Sequence, residues 1–315
     1  MPNRSIPGTN LNPHPICLGL GDFATRLNAC DACRLLERFI ALGGSLVDTA
    51  HCYSFWAPDG LGASERRLGE CIRALGCRDA LTVATKGGHP DGGEGYPRPD
   101  AYMAPDIVVR DIDDSLNRLQ VDCIDVYLLH RDDPRMAAGE VIEMLNVEIA
   151  RGRIRHLGAS NWSVARIEEA NRYADGYGLR GFCVSQVHWS LAEPPWEMGP
   201  DPTMRCITPA DAAWHAASGL PMMAYSSSAG GYFAGRGGTE GGYNTPANAA
   251  RRERARDLAA RLGCTPTQVA LAYLLCQPFP VFPIVGALNP DHLAEAMAAA
   301  DIQLTAEHIA WLRDG

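Results

Sequence analysis

Two hydrophobic periods alternate along this chain, and that alternation limits its fold more than any other feature. Short β-branched or apolar runs stand at 16–20, 46–49, 81–85, 124–129, 156–159, 183–187, 221–225 and 281–285, each with the look of a buried strand. Stretches of helical periodicity lie between or beside them at 64–75, 106–119, 138–150, 163–174, 209–217, 249–262, 266–276 and 290–300. Thr265-Pro266 and Asn289-Pro290 each set a capping side chain before a proline, which marks two helix starts. Strands separated by whole helices suit parallel pairing through crossovers rather than hairpins. Eight such strands are the number that closes, so the expected fold is an α/β (β/α)8 TIM barrel, a single domain over residues 1–315. An open doubly wound sheet would want a G-x-G-x-x-G turn after the first strand, where this chain reads GLGDFATR. Three long irregular stretches, 87–105, 190–208 and 226–248, all follow strands and so gather at the C-terminal face of a barrel.

Composition narrows the partners. Lys and Arg number 28 against 37 Asp and Glu, a net charge of −9, which argues against nucleic acid and against an anionic membrane surface. No run of apolar residues is long enough to span a bilayer, and the start lacks the pattern of a signal peptide. The expected setting is the cytoplasm and the expected partner a small molecule. Eleven cysteines, scattered through helices and strands, do not suggest a disulfide framework. Cys30 and Cys33 form a C-x-x-C with no second pair or histidine at zinc-finger spacing, so small buried side chains and no metal are expected there.

Proton-bearing groups cluster at three successive strand ends. Asp48 closes the second strand with Tyr53 just beyond, Lys86 closes the third, and His130 follows the fourth. Taken singly, these are a cap, a snorkelling lysine and a satisfied core histidine. A strand interior does not end on all three by default, because buried charge is costly.

The motifs DTAHCYSFWAPDGLGASERRLGE, TKGG, DVYLLHRDDP, HLGASNW, SQVHWSL and AYSSSAGGYFAG stand in an order that resembles the aldo-keto reductases over nearly the whole chain. The opening residues resemble that family's N-terminal β-hairpin. The resemblance implies hydride transfer between a nicotinamide and a carbonyl or alcohol, with catalytic groups Tyr53, Asp48, Lys86 and His130. Tyr53 would donate the proton to the developing alkoxide, helped by the ammonium of Lys86, which Asp48 keeps charged. His130 would hydrogen-bond the substrate oxygen.

The resemblance also implies cofactor contacts. Ser160, Asn161 and Gln186 would hold the carboxamide, Tyr225 would lie on the nicotinamide ring, and Ser226, Ser228 and Arg236 would clasp the pyrophosphate. At the adenosine end Gly286, His292 and Ala296 stand where the family often carries lysine, arginine and asparagine. Asn289 and His292 remain able to bind a phosphate, so NADP(H) is expected over NAD(H) only modestly. The substrate pocket is expected from Phe23, Trp56, His89, Arg131, Trp162, Trp189 and Trp196, a lining that suits a sugar-like or an aromatic carbonyl. The alternative is a nicotinamide-binding regulatory or scaffold barrel with little turnover. An unrelated metal-dependent barrel would want ligand clusters such as H-x-H at the first strand, and GLGDF has none.

Overall fold

A computed structural model describes residues 3–58, 60–194, 203–235 and 242–315. Eight strands, β1 (Cys17–Gly19), β2 (Leu46–Asp48), β3 (Thr82–Gly87), β4 (Ile124–Leu129), β5 (Ile154–Ser160), β6 (Phe182–His188), β7 (Met222–Tyr225) and β8 (Val281–Val285), are each parallel to the next. β1 also pairs with β8, which closes the barrel. All eight expected strands are present. Outside them lie α1 (Phe23–Arg26), α2 (Ala29–Ala41), α3 (Ala63–Leu75), α4 (Pro105–Leu119), α5 (Ala138–Ala150) and α6 (Val164–Tyr177). They are followed by α7 (Pro209–Ser218), α8 (Pro246–Leu262), α9 (Pro266–Leu275), α10 (Pro290–Ala298) and α11 (Ala306–Asp314).

Local chemistry sets several boundaries. Thr265 accepts from the Gln268 N–H while the Gln268 side chain returns the bond, a complete capping box at α9. Asn289 caps α10 by accepting from the Asp291 and His292 N–H groups. Short strands suffice because a parallel barrel strand is buried on both faces, and every residue of β4 and β8 is buried. The interior is filled by Cys17, Leu46, Ala84, Val126, Val184, Met223 and Phe282, with the N-terminal residues Ile6 and Leu11 packed against them. Those two ride on a segment that folds back on itself: Arg4 N–H donates to Pro13 at 2.8 Å and Ile6 N–H to Leu11 at 3.0 Å. The expected hairpin is thus a turn without regular strands. Pro7, Pro13 and Pro15 remove the donors a longer ladder would need.

One cysteine expectation is corrected. Cys33 on α2 forms a disulfide with Cys71 on α3, 38 residues away, with Cα atoms 4.9 Å apart, and Cys30 is exposed rather than packed. Two neighbouring barrel helices brought the pair together, which spacing along the chain cannot reveal. Among the described residues no helix is long and apolar enough to cross a membrane.

Candidate active site

The parallel ladder carries the polar groups to one mouth of the barrel. Leu20 N–H donates to Asp48 O, Thr49 N–H to Ala84 O, His51 N–H to Lys86 O and His130 N–H to Gly87 O, all between 2.8 and 2.9 Å. The bond from His51 extends the β2–β3 pairing past the strand end and fixes where the 49–53 turn begins. His51 is itself anchored, with Nδ1 2.9 Å from the Tyr96 hydroxyl and Nε2 3.0 Å from Asp114 Oδ2. Arg118 donates to the His51 carbonyl and to Glu65, and Thr85 donates to the other Glu65 oxygen. A buried polar network therefore holds the turn that presents Tyr53.

Lys86 is fully buried and all three of its N–H bonds are used: to Asp48 Oδ2 at 2.7 Å, to Thr49 O at 2.7 Å and to the Tyr53 hydroxyl oxygen at 3.0 Å. Burial alone would drive the ammonium to lose its proton. Asp48 and Tyr53 reverse this and hold its pKa above the ordinary lysine value. Gln186 donates its amide N–H to the other Asp48 oxygen at 2.9 Å. The carboxylate can only accept, so the Gln186 nitrogen must face it, and the Gln186 oxygen is left to accept from elsewhere.

Burial raises the Tyr53 phenol above its ordinary value, and the opposing pull of Lys86 does not overcome it. The expected help from Lys86 is present, but desolvation outweighs it. The resting phenol is therefore a held proton rather than a phenolate. Because Lys86 donates to the Tyr53 oxygen, the phenolic proton is directed to some other acceptor.

Burial and the Arg131 guanidinium beside it hold the His130 imidazole well below the ordinary histidine value, so the ring is neutral. Its Nδ1 lies 3.4 Å from Cys52 Sγ. Burial pushes the Cys52 thiol up to about 12, which keeps it an S–H donor. A thiol proton donated to Nδ1 leaves the ring proton on Nε2, whereas a ring proton on Nδ1 would make the sulfur the acceptor; the first tautomer is the one that leaves an outward donor. Tyr53 and His130 meet edge to face with ring centroids 5.8 Å apart. One acid and one neutral hydrogen-bond donor thus flank a common space, an arrangement able to polarise and protonate a carbonyl oxygen.

From this corner a cleft of about 820 Å³ runs across the barrel mouth. Asp48, Tyr53 and Trp56 line one end, Tyr225, Ser226 and Ser228 the middle, and Gly286, His292 and Glu295 the other end. Ser160 and Asn161 are buried behind it. Asn161 donates to His130 O at 3.2 Å and to Ser160 Oγ at 3.1 Å, and accepts from the Tyr225 hydroxyl at 3.0 Å and the Arg205 N–H at 3.0 Å. Its amide is thus engaged with the protein on both sides, and it ties Tyr225 to the His130 backbone. In the middle wall Ser226, Ala229, Gly230 and Gly231 all have positive φ, between 49° and 85°. At Gly230 and Gly231 only glycine adopts such angles cheaply. Asn289, as the α10 cap, has its side-chain oxygen committed to backbone N–H groups. Arg236 and Trp196 lie outside the described residues.

The six pocket expectations that fall within the described residues fare differently. Trp56 is exposed at the rim, 5.4 Å from Phe55, and half-buried His89 stands edge-on to His130 with centroids 4.8 Å apart. Arg131 is buried, donating to His130 O and to Thr203 Oγ1. Phe23, Trp162 and Trp189 are corrections, being core residues rather than pocket lining. Phe23 is fully buried in α1. Trp162 donates to Arg131 O and packs on Phe182, and Trp189 stacks on Phe279. Sequence reading missed Phe55 and Tyr96, which pack around His89, and also Cys52, Thr267 and Glu295. The aromatic pair stood beside motif residues and was legible in principle. Glu295 offered no signal without the fold.

A nicotinamide dinucleotide fits this cleft on the molecule's own terms. The cleft is long, glycine keeps the backbone of its middle wall bare, and Thr267 Oγ1 is a buried hydroxyl on its lining with no hydrogen-bond partner among the described residues. The model of the aldo/keto reductase family matches residues 15–314. Norsolorinic acid reductase B of Aspergillus parasiticus is 29% identical over 327 residues, covering 96% of this chain and 81% of that protein. An aryl-alcohol dehydrogenase (NADP+) of Phanerodontia chrysosporium is 28% identical, covering 98% and 84%. An aldo/keto reductase from Klebsiella pneumoniae, solved with NADP and acetate, superposes with a TM-score of 0.70 at 26% identity, covering 99% of this chain and 93% of that one. With a family match of that extent laid over a closed parallel barrel, this chain belongs to the aldo/keto reductase family of nicotinamide-dependent oxidoreductases.

Proposed function

We propose that this chain reduces the carbonyl of aromatic aldehydes or ketones, with Tyr53 as the proton donor and NADP(H) as the preferred cofactor. The observation that carries the reading is the saturated Lys86 ammonium, whose third N–H goes to the Tyr53 oxygen. A lysine held so completely has no conformational freedom to leave the phenol, so the acid is organised before substrate arrives. When bound, the nicotinamide supplies the hydride. Tyr53 then gives its proton to the substrate oxygen while the His130 Nε2–H stabilises the charge developing there. Asp48, pinned between Lys86 and Gln186, keeps the ammonium charged through the change. Run backwards on an alcohol, Tyr53 takes the proton up again.

At the cofactor's far end, Gly286 and His292 supply little fixed positive charge, and the Glu295 carboxylate adds the opposite sign. NADP complexes of the structural relative support the phosphorylated cofactor. The local charges argue that the preference is modest. The flat rim of Phe55, Trp56 and His89 offers stacking faces rather than a ring of hydroxyl partners, which favours an aromatic substrate over a sugar. Two of the similar proteins, named for norsolorinic acid and for aryl alcohols, point the same way.

The test is turnover of a panel of aromatic aldehydes, aliphatic aldehydes and aldoses with NADPH and with NADH. We expect aromatic aldehydes to lead in kcat/KM by at least about tenfold, the discrimination of a lost hydrophobic contact. Failure across the panel with cofactor binding intact would replace this reading with the scaffold one.

A further inference from the structure

Beside Tyr53 lies a set of groups that proton donation does not fully employ. Cys52, His89 and His130 each offer one ligand atom, and all three atoms lie within 4.8 Å of one another. The residues come from three different connections, after β2, β3 and β4, so the barrel alone assembles them. At positions 52, 89 and 130 they form no ligand spacing along the chain.

We propose that Cys52, His89 and His130 form a site for a thiophilic divalent cation, zinc above all, and that its occupation switches the enzyme off. The donor set is one sulfur and two imidazole nitrogens, which suits zinc and leaves a fourth position for water. Tetrahedral zinc with ordinary bond lengths sets sulfur and nitrogen about 3.6 Å apart. The Cys52 Sγ to His130 Nδ1 separation is already 3.4 Å. The His89 ligand atom lies within 4.8 Å of the other two, so a shift of about 1 Å closes the triangle to zinc spacing, and His89 is half-buried in a loop rather than locked in a strand. Its Nδ1 sits 2.8 Å from the Pro90 carbonyl oxygen. A carbonyl accepts only, so Nδ1 carries the proton and the lone pair is on Nε2. Such a backbone partner on the second nitrogen is what orients metal-binding histidines.

The chemistry balances without a redox step. Cys52 releases its thiol proton to solvent as the sulfur–zinc bond forms, and both imidazoles bind as neutral donors. Once bound, the cation draws His89 against His130 and fixes the His130 ring toward Cys52. The ring that presents Nε2–H to the substrate oxygen is then held by the metal at Nδ1 and crowded by His89, whose centroid already lies 4.8 Å from it. The inhibitory consequence rests on reading this corner as the carbonyl site. Metal binding itself does not.

The experiment titrates the full-length protein with Co²⁺, reading the thiolate-to-cobalt charge-transfer band, and then with Zn²⁺ in competition. Turnover is assayed at each step. We expect saturation at one equivalent, and a fall in turnover of at least tenfold that a chelator restores. Cys52→Ala should abolish the band, and His89→Phe should weaken binding at least tenfold. Cys30→Ser, which changes the exposed thiol elsewhere on the surface, should keep both band and inhibition. A band that persists in Cys52→Ala, or no saturable binding to the wild type, would overturn the site. Cobalt bound in the wild type with turnover unchanged would overturn its inhibitory role while leaving the carbonyl reading to its own panel.

Discussion

The two ends of the cleft handle charge in opposite ways. At the Tyr53 end, Asp48 and Lys86 are buried on adjacent strands, with all three Lys86 N–H groups donating and both Asp48 oxygens accepting. At the far end, His292 is exposed on the first turn of α10, and Glu295 is half-buried, accepting from the Thr265 hydroxyl at 2.6 Å. A buried pair in low dielectric is rigid and expensive to break, whereas an exposed charge is screened and cheap to change. On the proposed reading, the barrel devotes its stiff part to chemistry and leaves recognition of the cofactor's tail to replaceable surface groups.

Breaking the rigid end should have the largest effect. Tyr53→Phe keeps the ring and removes the proton, so turnover should fall by about two to four powers of ten with cofactor affinity retained. Near-normal turnover on the best carbonyl would remove Tyr53 from its role. Lys86→Met leaves Asp48 buried without its cation and should lower stability by about 3–5 kcal/mol, measured by denaturant unfolding. A loss under about 1 kcal/mol would mean the pair is far less desolvated than its burial indicates.

Between the two ends, His188 packs edge-on to Tyr225 with Nε2 3.0 Å from the Tyr243 hydroxyl. Burial pushes its pKa down from the ordinary 6.5 to about 4. Between those values the unfolded chain binds a proton that the folded chain refuses, so stability falls as pH drops from 6.5 to 4. Replacing His188 with Gln should remove up to about 3 kcal/mol of that slope. An unchanged pH dependence of unfolding would show that the ring charges in place.

The far end should respond more gently. Glu295→Lys exchanges repulsion for attraction and should tighten NADP over NAD by about tenfold, since partly exposed charges are each worth about 1 kcal/mol. Equal gains for both cofactors would put Glu295 away from the phosphate. Smallest of all, His292→Ala should weaken NADP a few-fold and NAD not at all, read by fluorescence titration with both cofactors. Cofactor-independent loss would point instead to the α10 start.

How legible each part was follows from how local its cause is. The eight strands could be read because a doubly buried strand is an apolar run wherever it lies, and β4 and β8 fall at the residues expected for them. Asp48, Tyr53, Lys86 and His130 could be singled out because charge at the end of such a run conflicts with burial. Trp162 and Trp189 misled because an indole at a strand end reads the same whether it faces the mouth or the outer layer. The N-terminal hairpin lost its regular strands to prolines that were visible all along.

The sequence by itself determined the alternation of elements, the closure of eight parallel strands and the identity of the groups at their ends, since periodicity and the cost of buried charge act within a few residues. Only the tertiary structure decided which groups meet. Cys33 with Cys71, His51 with Asp114, Gln186 with Asp48, and Cys52 with His130 are separated by 38 to 138 residues. Their contacts depend on barrel register and on which way a connection turns, and those are set by the packing of the whole ring of strands rather than by any segment within it.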